Sequence, residues 1–168
     1  MAIVPPKKAR KSPDSSKSSA IVSALMRFHE ERDEICLPET EVGRTGLRAD
    51  LYTIKPSWKP VPTIYEVKTS RSDFLRDDKW TSYLPFCERF YFAFPPGLVK
   101  PEEVTDKAVG IVNVTEDGTV ILIRACRKRR VHAKNIHLML HRLLFRYVFA
   151  AGGRKPVQPN AWIKKMGS

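Results

Sequence analysis

The sequence predicts one domain of α/β or α+β class. Three observations carry that reading. Residues 48–54 and 64–69 alternate in character with the period of two that strands require, residues 90–94 form a continuous apolar run, and residues 21–33 and 132–150 repeat apolar side chains at helical spacing. Setting aside a polar N-terminal stretch leaves about 150 residues, near the usual size of one compact unit.

Residues 1–19 are rich in Lys, Pro and Ser and lack the apolar stretch of a signal peptide, so a disordered basic tail is expected there. The folded domain is expected over 20–155, followed by a C-terminal tail, 156–168. From Ile21 to Asp33, Ile21, Val22, Leu25, Met26 and Phe28 make an amphipathic helix with Glu30, Glu31 and Glu34 near its end. Glu39 and Glu41 follow, two apart and therefore on one strand face.

Arg48–Ile54 places Ala49, Leu51 and Thr53 on one face and Asp50, Tyr52 and Ile54 on the other; Ile64–Thr69 sets Glu66 and Lys68 against Tyr65 and Val67. The intervening Lys55–Pro62 holds three prolines, which interrupt a ladder and mark a hairpin loop, so the two strands are expected to be antiparallel neighbours. Ser70 or Ser72 can cap the next helix, with Asp73 in its first turn. That helix is expected to run to about Leu84, where Pro85 stops it, and to present Leu75, Lys79 and Tyr83 as one stripe. Cys87 is expected in the core, and Phe90–Phe94 reads as a buried central strand. Val109–Val114 and Val120–Ile123 form a hairpin around Asp117-Gly118. His132–Ala150 closes the domain, with Ile136, Leu140, Leu143, Leu144, Tyr147 and Val148 inward and Gly152-Gly153 at its end.

Charge is polarised along the chain. Residues 1–19 carry a net +4, residues 20–117 a net −4, and residues 118–168 hold twelve basic residues and no acid. A polyanion is drawn to that last third, most sharply to Arg124, Arg127, Lys128, Arg129 and Arg130, and such binding is salt-sensitive. The three cysteines, Cys36, Cys87 and Cys126, form no paired motif and suit a reducing compartment. With no run long enough to span a membrane, a cytoplasmic, nucleoid-associated protein is expected. His137 and His141 stand at zinc-compatible spacing, but neighbouring arginines repel a cation and no His-Glu-x-x-His motif accompanies them.

Asp50, Glu66 and Lys68 are ionisable residues where strands ordinarily bury apolar ones. On paired strands, opposite positions have Cβ atoms roughly 4.5–5.5 Å apart, so these three converge on a volume the size of one hydrated ion. Hard cations such as Mg²⁺ take one or two carboxylates and keep several waters, which suits Asp50 and Glu66. An adjacent amine can position or deprotonate a nucleophile or stabilise a charged phosphoryl group, which suits Lys68.

Arg48-Ala49-Asp50 followed by Glu66-Val67-Lys68 resembles the metal site of the PD-(D/E)xK nuclease superfamily, with Ala49 where proline is usual. The longer pattern of Glu66, Lys68, Asp73-Phe74, Asp77, Lys79-Trp80, Tyr83, Cys87-Glu88-Arg89 and Tyr91-Phe92-Ala93 is similar to the MmcB-like branch, a DNA-repair family. The resemblance is dense over 44–95, weaker over 120–150, and does not cover the N-terminal tail. It implies an α/β, restriction-endonuclease-like fold, a mixed β-sheet flanked by helices in α-β-β-β-α-β order with an appended hairpin and C-terminal helix, and a Mg²⁺ or Mn²⁺ cofactor. It further implies an upstream acidic ligand, either Glu39 or Glu41, and supporting roles for Lys79 and Tyr83.

Two functions are expected in competition. One is a metal-dependent DNA phosphodiesterase acting in repair or processing on single-stranded or structured duplex DNA; the other is a non-cleaving DNA-binding module of nuclease descent that recruits repair partners. A basic protein with an incidental salt-bridge cluster is the bland third.

Overall fold

We describe residues 13–43 and 45–150 of a computed structural model. The elements run α1 (Pro13–Glu30), β1 (Ile35–Glu41), β2 (Arg48–Lys55), β3 (Val61–Val67), α2 (Arg71–Arg76), a 3₁₀ helix (Lys79–Phe86), β4 (Arg89–Phe94), a 3₁₀ turn (Pro101–Glu103), β5 (Gly110–Val114), β6 (Val120–Arg124) and α3 (Ala133–Ala150). One six-stranded mixed sheet holds the strands in chain order. β1, β2 and β3 pair antiparallel, β3–β4 and β4–β5 pair parallel, and β5–β6 closes antiparallel. The α-β-β-β-α-β order with a terminal hairpin and helix is as the motif resemblance implies.

The sheet separates two cores. On one face α1 buries Ile21, Val22, Ala24 and Leu25 against Leu51, Tyr65, Val67, Ala93, Val112 and Val114. On the other, Tyr52, Ile54, Ile64, Phe90, Phe92 and Phe94 meet α2, the 3₁₀ helix and α3. β4 is internal and its apolar side chains serve both cores, as the run Phe90–Phe94 predicts. Cys87 is fully buried, and burial pushes its thiol up to about 12. The hairpin turn is where Asp117-Gly118 predicts it, with Gly118 at φ 86°, a left-handed conformation that favours glycine.

Four expectations need correcting. α1 begins at Pro13, so residues 13–19 belong to the helix and not to a tail; Pro13 opens it, where a missing N–H costs nothing, and Ser15, Ser16, Lys17 and Ser19 lie exposed. The first part of the expected tail, the end of the C-terminal helix at Gly152-Gly153 and the tail 156–168 lie outside the described residues. The hairpin loop is shorter than expected, because Val61 and Pro62 already pair in β3. Pro62 fits there because its carbonyl faces β4, accepting from the Glu88 N–H at 2.8 Å, so its missing N–H lies on that side and the β2 ladder is intact.

The third correction concerns the segment after β3. Instead of one helix to Leu84 there is a six-residue α2, capped by the Ser70 hydroxyl accepting from the Asp73 N–H, then a break at Asp77 and a 3₁₀ helix with Pro85 inside it. The Asp77 side chain accepts from the Lys79 N–H at 3.0 Å, a local bond that competes with helix continuation. Leu75 is consequently exposed while Tyr83 is buried, and the expected stripe does not exist.

The fourth concerns α3, which packs through Met139 and Leu143. Leu140, Leu144, Tyr147 and Val148 are exposed. Arg142 and Arg146 turn towards β1 instead, the first to Glu41 and the second to the Pro38 carbonyl and the Thr40 hydroxyl. Amphipathic spacing states that a helix has an apolar face; it does not say which of two adjacent stripes is covered.

Candidate active site

The β2–β3 ladder runs from Lys55↔Val61 to Leu51↔Tyr65 and then parts. Beyond that point the Asp50 carboxylate replaces a backbone carbonyl, accepting from the Val67 N–H at 2.7 Å, while the Arg48 carbonyl accepts from the Tyr83 hydroxyl at 3.0 Å. β2 continues along β1. The strands therefore open into a cleft at the place where Asp50, Glu66 and Lys68 stand. By alternation, with Tyr52 and Ile64 in the helix-covered core, these three share its face.

Lys68 is 6% exposed and sits among carboxylates. Its Nζ lies 3.1 Å from Glu66 Oε1, 2.7 Å from Asp77 Oδ2 and 3.7 Å from Asp73 Oδ2. Burial opposes its charge, but Glu66 and Asp77 override that and hold the ammonium well above its ordinary range. Asp77 is held there because Phe74 and Trp80, on either side of the break, both pack edge-on against Phe92. Asp77 and Asp73 are the residues the sequence reading missed as site members. Two acids four apart in the segment following Glu66-Val67-Lys68 were the available signal.

The carboxylates are strained electrostatically. Burial, then the neighbouring Asp50 charge, raises Glu66 from its ordinary 4.5 to about 8 despite the opposing pull of Lys68. Burial likewise lifts Asp50 to about 6, with the Val67 N–H opposing and the Glu39 charge adding to the rise. Glu66 Oε2 is buried without a hydrogen-bond partner.

Because both carboxyls bind protons more tightly folded than unfolded, metal-free stability is expected to fall as pH rises from about 4 to about 8. Glu66→Gln carries no such charge. Its melting temperature is expected to gain on that of the wild type as pH rises across that window; parallel curves in a thermal melt series would count against the arrangement.

Glu39 and Glu41 flank the buried Thr40 on β1 but take different partners. Glu39 has φ 49°, a left-handed backbone that costs a non-glycine residue roughly 1–2 kcal/mol. With Pro38↔Leu51 and Thr40↔Ala49 paired, Glu39 stands opposite Asp50. Glu41 is turned to Arg142 at 2.9 Å. Of the two acids, Glu39 is the one near the cleft, with its side chain 64% exposed.

Lys79 and Tyr83 line the same cleft, about 240 Å³, with Glu66, Lys68, Asp73, Arg76, Asp77 and Asp78. Among the described residues no group of three His, Cys, Asp or Glu side chains is gathered to hold a metal ion on its own. Two facing carboxylates, one with an unpartnered oxygen, nevertheless suit Mg²⁺ or Mn²⁺, which complete their shells with water and phosphate oxygens.

The expected basic cluster divides. Arg124 is committed to the backbone: its Nε donates to the Val109 carbonyl, and its terminal nitrogens donate to the carbonyls of Pro101, Val104 and Asp106, at 3.0–3.1 Å. It ties β6 to the loop before β5 and is not free for phosphate. Arg129, 20% exposed, pairs with Asp106 at 3.4 Å. Lys128 is exposed but reaches Glu88 at 3.6 Å, and Arg127 and Arg130 are exposed.

The architecture is that of a six-stranded mixed sheet flanked by helices with a polar cleft at the split end of β2 and β3. A family model described as "DNA repair protein MmcB-like" matches residues 5–154, beginning well before the densest motif resemblance. The chain belongs to the MmcB-like family of DNA repair proteins. A solved structure of a protein of unknown function from Silicibacter pomeroyi shares the fold, with a TM-score of 0.68 and 19% sequence identity over 80% of this chain and 88% of that one. No curated protein matches. No described helix is long and apolar enough to cross a membrane.

Proposed function

We propose that the protein is a Mg²⁺- or Mn²⁺-dependent DNA phosphodiesterase of the PD-(D/E)xK type acting in repair or processing. The observation that carries this reading is the pair of part-buried carboxylates, Asp50 and Glu66, opposed on parting strands with Glu66 Oε2 buried and unpartnered beside the buried cation of Lys68. Removing two carboxylates from water and leaving them to repel each other destabilises the fold, and a divalent cation relieves it.

Asp50 and Glu66 would hold the ion, with Glu39 able to approach from β1. When bound, the ion supplies a water acidified towards hydroxide and charge neutralisation at a phosphoryl oxygen. Lys68, held charged by Glu66 and Asp77, serves as a fixed positive charge against the developing phosphorane. Tyr83 fixes the start of β2 through the Arg48 carbonyl and so sets where Asp50 stands. Arg76 and Lys79, on the rim, and exposed Arg127, Lys128 and Arg130 offer phosphate contacts.

Calorimetric titration with Mn²⁺ paired with cleavage assays on single-stranded, nicked and branched DNA tests the reading. Mn²⁺ binding that disappears in Asp50→Ala and Glu66→Ala, together with metal-dependent cleavage, is the expected result. The ion pairing of Lys68 with three carboxylates favours a second reading, a DNA-binding module that no longer cuts and recruits repair partners. DNA binding without Mn²⁺ binding would select it.

A further inference from the structure

The loop joining β2 to β3 carries a feature that the cleft does not use. Trp58 is 104% exposed, the most exposed large apolar side chain among the described residues, whereas Trp80 packs against Phe90 and Phe92. Exposing an indole fully forgoes about 1.5–3 kcal/mol of burial relative to placing a large apolar side chain in a core. Lys55 and Lys59 flank it, both exposed and neither in an ion pair among the described residues. Pro56 and Pro60 stiffen the loop, and the Ser57 hydroxyl donates to the Lys59 carbonyl at 2.5 Å across its tip. A rigid aromatic between two free cations pays little ordering entropy when it stacks.

We propose that the Trp58 loop is a stacking platform for an unpaired nucleobase, with Lys55 and Lys59 on the adjoining phosphates. The proposal rests on the reading of the protein as DNA-acting, and it narrows the ligand to single-stranded or locally unpaired DNA, since a duplex offers an indole no free base face. An aromatic with flanking lysines is the pairing that sequence-tolerant single-strand binders use. Geometry agrees with one continuous strand. Asp50 and Lys55 are ends of one stretch of β2, about 17 Å apart at 3.3–3.4 Å per residue, or roughly five nucleotides at 3.4 Å each. Because β2 is internal and covered on both faces, that separation is a lower bound, and a strand held at the cleft needs at least roughly five nucleotides to pass round the domain to the loop.

The test is fluorescence anisotropy of the full chain with a labelled 20-nucleotide single strand, without divalent metal. Trp58→Ala is expected to weaken binding by roughly 5- to 100-fold, the range for loss of one base stack, and Trp58→Phe to restore most of it. Tryptophan quenching by DNA is expected to be lost in Trp58→Phe, a signature that a merely electrostatic loop would not show. Lys55→Ala/Lys59→Ala is expected to reduce the slope of log affinity against log salt by roughly 1.4, two single-strand contacts' worth. Wild-type binding with an unchanged Trp58→Ala affinity overturns the platform and leaves the nuclease reading standing. Absence of both DNA binding and cleavage in the wild type overturns both. Trp58-dependent partitioning onto phosphatidylserine vesicles, without an effect on DNA, overturns the proposal in favour of a membrane contact.

Discussion

Lys68→Ala is expected to lower metal-dependent DNA cleavage by about 10²–10³-fold, the usual cost of removing one group that stabilises transition-state charge. Affinity for DNA is expected to change little, because Lys68 is only 6% exposed in the wall of the cleft and is neutralised by its carboxylate partners, while the exposed cations remain. Removing the ammonium also leaves Glu66 and Asp77 without their counter-charge, and breaking a buried pair in this way typically costs about 3–5 kcal/mol. Single-turnover rates must therefore be measured alongside melting temperature, at a temperature where the variant is folded. A rate equal to wild type would remove Lys68 from the chemistry. Lys68→Arg is not expected to rescue, since a planar guanidinium does not fit the space of an ammonium bounded by three carboxylates.

Phe92→Ala is expected to destabilise the fold by about 3–5 kcal/mol, the cost of deleting a buried phenyl ring and leaving part of the cavity. Phe92 is 2% exposed, and its ring meets those of Phe74, Trp80, Phe90 and Phe94 at centroid distances of 5.2–5.8 Å. Two of those rings hold α2 and the 3₁₀ helix on the sheet, so the damage extends to Asp77 and from there to Lys68. Urea titration is expected to show a large fall in midpoint, and activity below that midpoint should fall as well. Ile121→Ala, on the exposed edge strand, is expected to stay within about 0.5 kcal/mol of wild type. If the two variants melted together, the β4 aromatics would not be the support of the site.

Strand elements were the most legible part of the chain because their signal is local. The period-two runs at 48–54 and 64–69, joined by a short proline-marked loop, can pair in few ways, and the resulting register sets Asp50 towards Glu66. The continuous apolar run of β4 admits little but a central position. Helical segments were less legible. The break at Asp77 depends on one side chain outcompeting the backbone for the Lys79 N–H, and continuous helical spacing runs straight through it. The inward face of α3 depends on Arg142 and Arg146 finding partners on β1, more than a hundred residues earlier in the chain.

His29 escaped the sequence reading for the same reason. It is buried at the end of α1 between the Glu34 carboxylate at 2.8 Å and the Tyr65 hydroxyl at 2.9 Å, and burial lowers its pKa. The partner residues lie on a turn and on β3, and only packing brings them together. Arg124 is a further case: its place in a basic run points to phosphate, and its four bonds to carbonyls assign it to the scaffold.

By itself, the sequence determined the antiparallel β2–β3 pair, the central β4 strand and the facing of Asp50, Glu66 and Lys68, because each follows from periodicity and short connections, while the full element order followed from the motif resemblance. Tertiary structure alone decided that Asp77 joins Lys68, that Glu39 stands opposite Asp50 while Glu41 pairs with Arg142, and which basic residues are drawn into bonds with the scaffold. Those outcomes turn on side-chain competition between segments distant in the chain, where the winner is set by desolvation and packing.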